Sequence, residues 1–360
     1  MPQKTLKSPN NEFIINYADV KQVCICCIPY ALLQYLLVND LQISKYHTAY
    51  FFDELMPQAI KHKLPHIFFQ NMYPNTLFYK IYRKFIRLYK LLTRYKQYPF
   101  LKTATIFAQD CKFYSILIGS REYRFLADAP HFLSTINCET SPSKQFFNKK
   151  NHSVIGRIEQ ALYGTTYLYR YGNNPQCTHL YLTEPTDSPV IQNKIVHIDS
   201  FQSLWDKASE EKKKFILYVF DITEEDIQLI SQRPIIFFSQ PLDTDYNINK
   251  DEYLKFLNKI LSKYNHSQLL IKLHPRDTFD YQHYFPDIKT FSKPVNVELL
   301  TVLGLSFKKA ITIFSAAVFN LSENIEVDWF GMSVLKNMID ETKINNSLHP
   351  PRSYNQVYLD

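Results

Sequence analysis

The chain has 360 residues, enough for two domains of ordinary size, and its 46% hydrophobic content is that of a globular protein. Only 6 residues are Gly, and neither GxGxxG nor GxxxxGK(S/T) occurs, so the glycine-rich phosphate loops of dinucleotide and P-loop proteins are excluded. A net charge of +7 favours anionic partners such as phosphates, acidic glycans or a membrane surface, and no nucleic-acid-binding motif accompanies it.

The first twenty residues are polar and mixed, without the pattern of a signal peptide. Val23–Ile28 then reads as a buried strand, followed by a helix from Pro29 to Val38, with Pro at a first helical position. The whole run Val23–Val38 is shorter than the ~20 residues a spanning helix needs, and Pro29 and Gln34 interrupt it. Three of the six Cys (Cys24, Cys26, Cys27) sit in this strand, and no Cys/His set has zinc spacing. They are expected to be reduced core thiols of a cytoplasmic protein. Thr48–Phe52, Ile67–Gln70, Thr105–Ala108 and Tyr123–Leu126 are further candidate strands separated by helical stretches.

The stretch from Tyr79 to Lys96 stands apart. Lys80, Lys84, Arg87, Lys90 and Arg94 fall on one helical face, and Ile81, Phe85, Leu88 and Leu92 on another. Such a helix suits an anionic membrane surface or a dimer contact, and equally a core-packed helix with a solvated basic face.

A charged joint near Ser203–Lys213 divides the chain, giving expected domains 1–206 and 207–360. Past it, Phe215–Phe220, Pro234–Ser239, Gln268–Leu273 and Ala310–Phe314 read as strands. Glu224–Ser231, Glu252–Tyr264 and Val297–Leu303 read as helices. Alternating strands and helices in both halves predict an α/β protein with two Rossmann-like domains, their parallel sheets facing a central cleft.

Four places could carry chemistry. Ile271-Lys272-Leu273-His274-Pro275-Arg276 is an apolar strand ending in His-Pro, at the carboxyl edge where open α/β sheets bind ligands. His274 could donate to a leaving phosphate and Arg276 could pair with an anion, or His274 could be satisfied within a turn. Ser315-Ala316-Ala317 follows the strand ending at Phe314; its hydroxyl and backbone N–H groups suit a phosphate, or merely cap a helix. Asp128, after the apolar Phe125-Leu126-Ala127, suits a general base or a turn before Pro130. Asp243-Thr244-Asp245 could hold a divalent metal on a nucleotide diphosphate, or form a turn.

In order along the chain, these pieces resemble the bacterial sialyltransferases of glycosyltransferase family 52, the lipooligosaccharide sialyltransferase group. The resemblance runs through Cys26-Cys27-Ile28-Pro29-Tyr30, Ile106-Phe107-Ala108-Gln109-Asp110, Phe125-Leu126-Ala127-Asp128-Ala129-Pro130 and Phe238-Ser239-Gln240-Pro241-Leu242. It continues through the His274-Pro275-Arg276 segment, Val297-Glu298-Leu299-Leu300 and Phe314-Ser315-Ala316-Ala317. It implies a GT-B-type architecture and an inverting transfer from CMP-sialic acid to a terminal sugar, often galactose, with no metal or other cofactor. His274 would contact the CMP phosphate and assist its departure, and Ser315 would bind that phosphate or the donor carboxylate. Glu298 would bind the nucleoside, Asp128 would be the general base, and Gln240, Pro275, Arg276 and Ala316 would line the donor pocket. The implied partners are a nucleotide-sugar donor and a glycan acceptor. A lipid-linked acceptor would bring the protein to the inner face of the bacterial inner membrane.

The chain departs from the family pattern at three points. Ala127-Asp128-Ala129 stands where the family reads Glu/Asp-Asp-Gly, Asn296-Val297-Glu298 replaces a Pro-Phe-Glu form, and Ala316 replaces a second Ser. Two alternatives therefore stay open: a different nucleotide-sugar donor, with Asp243 and Asp245 on a metal, or a degenerate member that binds without turnover.

Overall fold

The computed structural model describes residues 4–70, 76–110, 115–127, 174–182, 194–293, 295–305, 307–322, 324–340 and 353–359, with positions 154, 157, 158, 161, 172 and 344. The chain forms two compact units, Met1–Val219 and Phe220–Asp360.

Unit 1 opens with a small antiparallel pair, β1 (Thr5–Lys7) and β2 (Ile14–Asn16). Its main sheet contains β3 (Gln22–Ile25), β4 (Thr48–Phe52), β5 (His66–Phe68) and β6 (Thr105–Ala108). β7 (Tyr123–Phe125), β8 (Cys177–Leu182) and β9 (Ile195–His197) complete it. The order is β5-β4-β3-β6-β7-β8-β9, and every pairing is parallel. A parallel sheet covered on both faces needs strands that are apolar throughout, and β4 is buried at every position. The helix Pro29–Val38 begins at the Pro that the sequence picks out and is buried from Tyr30 to Leu37. Cys24, Cys26, Cys27 and Cys177 are buried thiols, and burial pushes the Cys26 thiol well up, away from the reactive thiolate.

Two buried amides bind the carboxyl edge of this sheet. Gln34, inside the apolar helix, donates from Nε2 to the Tyr181 carbonyl at 2.7 Å and accepts from the Ala127 N–H at 3.0 Å. Gln109 accepts from the Cys27 N–H at 2.8 Å.

In unit 2, β10 (Ile235–Phe238), β11 (Leu269–Lys272), β12 (Lys289–Phe291), β13 (Lys309–Thr312), β14 (Glu326–Trp329) and β15 (Asn355–Gln356) form a second parallel sheet. The order is β12-β11-β10-β13-β14-β15, wound outward in both directions from β10 and β13. Phe237, Ile271 and Ile311 face one core, packed against Tyr253, Leu257, Ile260 and Leu261 of the helix Lys250–Leu261. That helix is capped by the Asn249 side chain, which accepts from the N–H groups of Asp251 and Glu252. By the two-residue alternation of strands, Phe238, Leu270, Lys272 and Thr312 turn to the opposite face.

One expected element is corrected. Phe215–Phe220 is not a strand; Glu210–Val219 is a helix that buries Phe215, Ile216 and Val219. Its apolar run has strand composition, but Ser209 accepts from the Lys212 N–H in the manner of an N-cap, and Glu210 and Glu211 occupy the first turn. The helix Phe201–Asp206 precedes it, so helical structure stands where a charged joint is expected. Past Phe220, Asp221 takes a left-handed conformation (φ 57°) and Thr223 and Asp226 form a capping box that starts the helix Glu224–Ser231. No helix among the described residues is long and apolar enough to cross a membrane.

Gln34→Leu keeps the volume but leaves the Ala127 N–H and Tyr181 carbonyl without that partner in a dry interior. Chemical denaturation should show a loss of about 1–3 kcal/mol.

Candidate functional site

In unit 2 the chain leaves β10 for β11 on one side of the sheet and returns from β12 to β13 on the other. The strand order therefore reverses between β10 and β13, and a crevice opens outside their carboxyl ends that no crossover covers. Open α/β sheets bind ligands at such switch points.

Gln240 and Ser315 flank this crevice. Gln240, two residues past β10, accepts the Phe314 N–H on Oε1 at 2.9 Å, which ties the two strand ends together. Ser315 donates its N–H to Thr312 Oγ1 at 2.9 Å and accepts the Ala317 N–H on Oγ at 3.3 Å, capping the turn Ala316–Asn320. The capping reading of Ser315 thus holds, and its hydroxyl proton is left to donate. Ala316 opens that turn through its backbone.

His274 stands at the end of the adjacent strand, β11. His274 to Asp277 form a turn closed by the Asp277 N–H on the His274 carbonyl at 2.9 Å, with Pro275 at the position where its locked φ is favourable. Within the turn the Arg276 N–H donates to His274 Nδ1 at 3.1 Å. With Nδ1 accepting, the neutral ring carries its proton on Nε2. Burial, then the charges of Arg276 and Lys272, push the His274 pKa down, so the imidazole is neutral at pH 7. The group at this strand end is therefore a hydrogen-bond donor rather than a cation.

A buried relay supports these residues. The His274 N–H donates to Ser239 Oγ at 3.0 Å, and the Ser239 hydroxyl bonds Asp277. Asp277 also accepts from Tyr281 Oη at 3.1 Å; the Tyr281 and Tyr253 hydroxyls lie 3.1 Å apart and Tyr253 Oη lies 3.2 Å from the Gln240 carbonyl, two contacts that share the single Tyr253 proton. One connected set of side chains thus reaches the backbone of both His274 and Gln240. Long polar connections of this kind leave no signal in a sequence.

Lys272 also escapes a reading of the sequence, because a Lys closing a strand looks exposed. It is 7% exposed; Nζ donates to the Leu273 carbonyl at 2.9 Å and lies 5.6 Å from the centre of the Phe291 ring. Burial pushes its pKa down to about 8.

The remaining expected residues fall apart from this cluster or outside the described residues. Arg276 is exposed and its guanidinium grips Asp245 at 2.7 and 2.9 Å. Asp243 accepts the Thr244 N–H at 2.9 Å. Among the described residues no three His, Cys, Asp or Glu gather as metal ligands. Glu298 lies in the first turn of the helix Val297–Val302, on the crossover between β12 and β13, and accepts from Asn296 Nδ2 at 2.7 Å. Asp128 lies outside the described residues; Ala127 before it is buried and held by Gln34. Asp110, past β6 at this edge of unit 1, is wholly buried and accepts from Tyr123 Oη at 2.5 Å and the Gly172 N–H at 2.9 Å; Asp53, past β4, is wholly buried too and accepts from the Leu55 N–H at 2.9 Å.

Comparison with known proteins follows the same lines. The model of glycosyltransferase family 52 matches residues 143–336, over half of the chain. An uncharacterized protein of Haemophilus influenzae is 36% identical over 166 residues; the match covers 46% of this chain and 54% of that protein. The GT-B domain of the Photobacterium damselae sialyltransferase superposes with a TM-score of 0.54 at 14% identity, over 87% of this chain and 91% of that one. A Photobacterium 2,6-sialyltransferase in complex with CMP and lactose gives 0.53 at 10% identity, over 86% and 71%. At these identities the likeness is one of fold, and it makes the architecture GT-B.

Lys272 carries a consequence for stability. Its pKa is about 8 in the folded chain against an ordinary 10.5, so between these values the unfolded chain binds more protons. Stability should therefore rise with pH through that window, and the burial cost is present in full below it. Lys272→Met should raise the melting temperature at pH 7 and flatten the rise between pH 8 and 10.5, as thermal melts across that range would read out.

Proposed function

Because the chain belongs to glycosyltransferase family 52, we propose that it is a sialyltransferase. It moves sialic acid from CMP-sialic acid to a terminal sugar hydroxyl, of galactose in a lipooligosaccharide or capsular glycan, by an inverting displacement that needs no metal. The observation that carries the reading is the switch-point crevice of unit 2, bridged by Gln240 and flanked by a His274 whose free ring proton is on Nε2.

The chemistry asks little of a metal. The bond from the anomeric carbon of sialic acid to the phosphate oxygen breaks, its electron pair leaves with CMP, and the acceptor oxygen bonds to that carbon. Asp128 takes the acceptor's proton. Charge develops on the departing phosphate, where pre-placed donors stabilise it best. The His274 Nε2–H and the Ser315 hydroxyl are such donors, and the Lys272 ammonium adds positive potential at the same strand end. Glu298 binds the nucleoside and Gln240 and Pro275 shape the pocket. Arg276 contributes by holding the turn against Asp245, and Ala316 through its backbone. An Asp245 occupied by Arg276 weighs against a metal-dependent donor. Lipid-linked acceptors of this class are built at the inner face of the bacterial inner membrane, so the protein is cytoplasmic and peripheral to that membrane.

Removal of one pre-placed donor from such a site costs about 10²–10³-fold in kcat. His274→Ala should lose that much with the melting temperature retained. Asp128→Asn should lower kcat by about 10²–10⁴-fold while leaving CMP affinity intact. Steady-state transfer assays paired with CMP titrations check both, and unchanged turnover in either variant removes that residue's role.

A further inference from the structure

The helix Leu77–Gln97 is the largest feature that the transfer chemistry leaves unused. It presents Phe78, Tyr82, Phe85, Tyr89 and Leu92 at 69, 44, 68, 61 and 73% exposure. Their spacing of four, three, four and three residues lines them along one side of the helix. Five large apolar side chains in a row exceed the scattered exposure normal for a protein surface and mark a place of contact.

The helix meets unit 1 with its other side, against the turn Pro99–Lys102 and the short helix Ser115–Ile118. Leu91 is buried, the Lys90 ammonium lies 3.5 Å from the centre of the buried Phe69 ring, and Arg94 donates to the Leu91 carbonyl and to Tyr95 Oη. Of the expected apolar face, Phe85 and Leu92 are exposed, while Lys90 and Arg94 of the expected basic face are engaged within unit 1; of the readings left open by the sequence, a core-packed apolar face is the one these positions oppose.

Charge decides between occupants. The helix holds seven Lys and Arg and no Asp or Glu, within a chain of net charge +7. A second copy would bring the same seven cations alongside, with no carboxylate on either helix to offset them. An anionic bilayer accepts both properties at once: aromatic and Leu side chains enter the headgroup boundary, and the basic helix is drawn to the surface potential. The helix is not apolar enough to span.

We propose that Leu77–Gln97 lies flat on an anionic lipid surface, with the stripe from Phe78 to Leu92 seated in the headgroup region. The inference gives a physical basis to the membrane location proposed above and is independent of the transfer chemistry. A protein inactive in transfer would still bind lipid, and one that transfers to soluble acceptors could still fail to do so.

The test is sedimentation of the full chain with vesicles of phosphatidylglycerol in phosphatidylcholine, against phosphatidylcholine alone, at low and raised salt. Binding should require the anionic lipid, weaken with salt, and fall by at least about tenfold in the Phe85→Glu/Leu92→Glu double variant. Both positions are exposed, so the variant should keep the native melting temperature; Tyr89→Ser is the milder substitution should it not. Absence of binding to the anionic vesicles, or binding untouched by these substitutions, overturns the proposal. So does a vesicle-free dimer in analytical ultracentrifugation that the double variant splits, which would assign the stripe to a second copy.

Discussion

A parallel sheet wound outward from its two middle strands cannot cover the gap above their carboxyl ends, because each crossover leaves to its own side. In unit 2 that gap lies between β10 and β13, and the Gln240 side chain closes its floor by accepting the Phe314 N–H. The bond does two things. It satisfies a backbone donor just past the sheet ladder, where a parallel pairing no longer supplies an acceptor. It also holds two strand ends in one register, so that Ser315 and the neighbouring His274 turn have a fixed frame. The relay from His274 through Ser239, Asp277, Tyr281 and Tyr253 reaches the Gln240 carbonyl, a run of polar contacts that is buried at Ser239, Tyr281 and Tyr253.

Within that frame the protonation states follow from burial. Burial and the adjacent Lys272 and Arg276 keep His274 neutral, while the Arg276 N–H on Nδ1 sets which nitrogen keeps the proton. Burial of Lys272 lowers its own pKa to about 8, close enough to neutrality that it still carries charge at pH 7. A buried ammonium with one carbonyl partner is costly to a fold, and its place beside the His-Pro turn gives that cost a functional context.

The fold was legible where one local signal spoke for each element. Pro29 marks its helix, Ile106–Ala108 of β6 are apolar and buried, and Thr223 with Asp226 starts Glu224–Ser231. It was illegible where tertiary partners override composition. β14 carries Glu326 and Asp328 and does not look like a buried strand; Lys309 and Tyr264, distant in sequence, satisfy Asp328. The run Phe215–Val219 has strand composition, and Ser209 with its acidic first turn makes it helical. The site divides the same way. Gln240, His274 and Ser315 could be found because strand ends are local, whereas the engagement of Arg276 by Asp245 and the burial of Lys272 depend on packing that no spacing announces.

The proposal turns on whether the switch-point crevice of unit 2 holds cytidine monophosphate without a metal. Thermal stabilisation of the full chain by CMP and by UDP, each with EDTA and with magnesium, tests it most directly, since a ligand of the native state raises the melting temperature by mass action. The account predicts a rise with CMP that EDTA does not diminish. A rise confined to UDP with magnesium would contradict it and return Asp243 and Asp245 to the role of metal ligands.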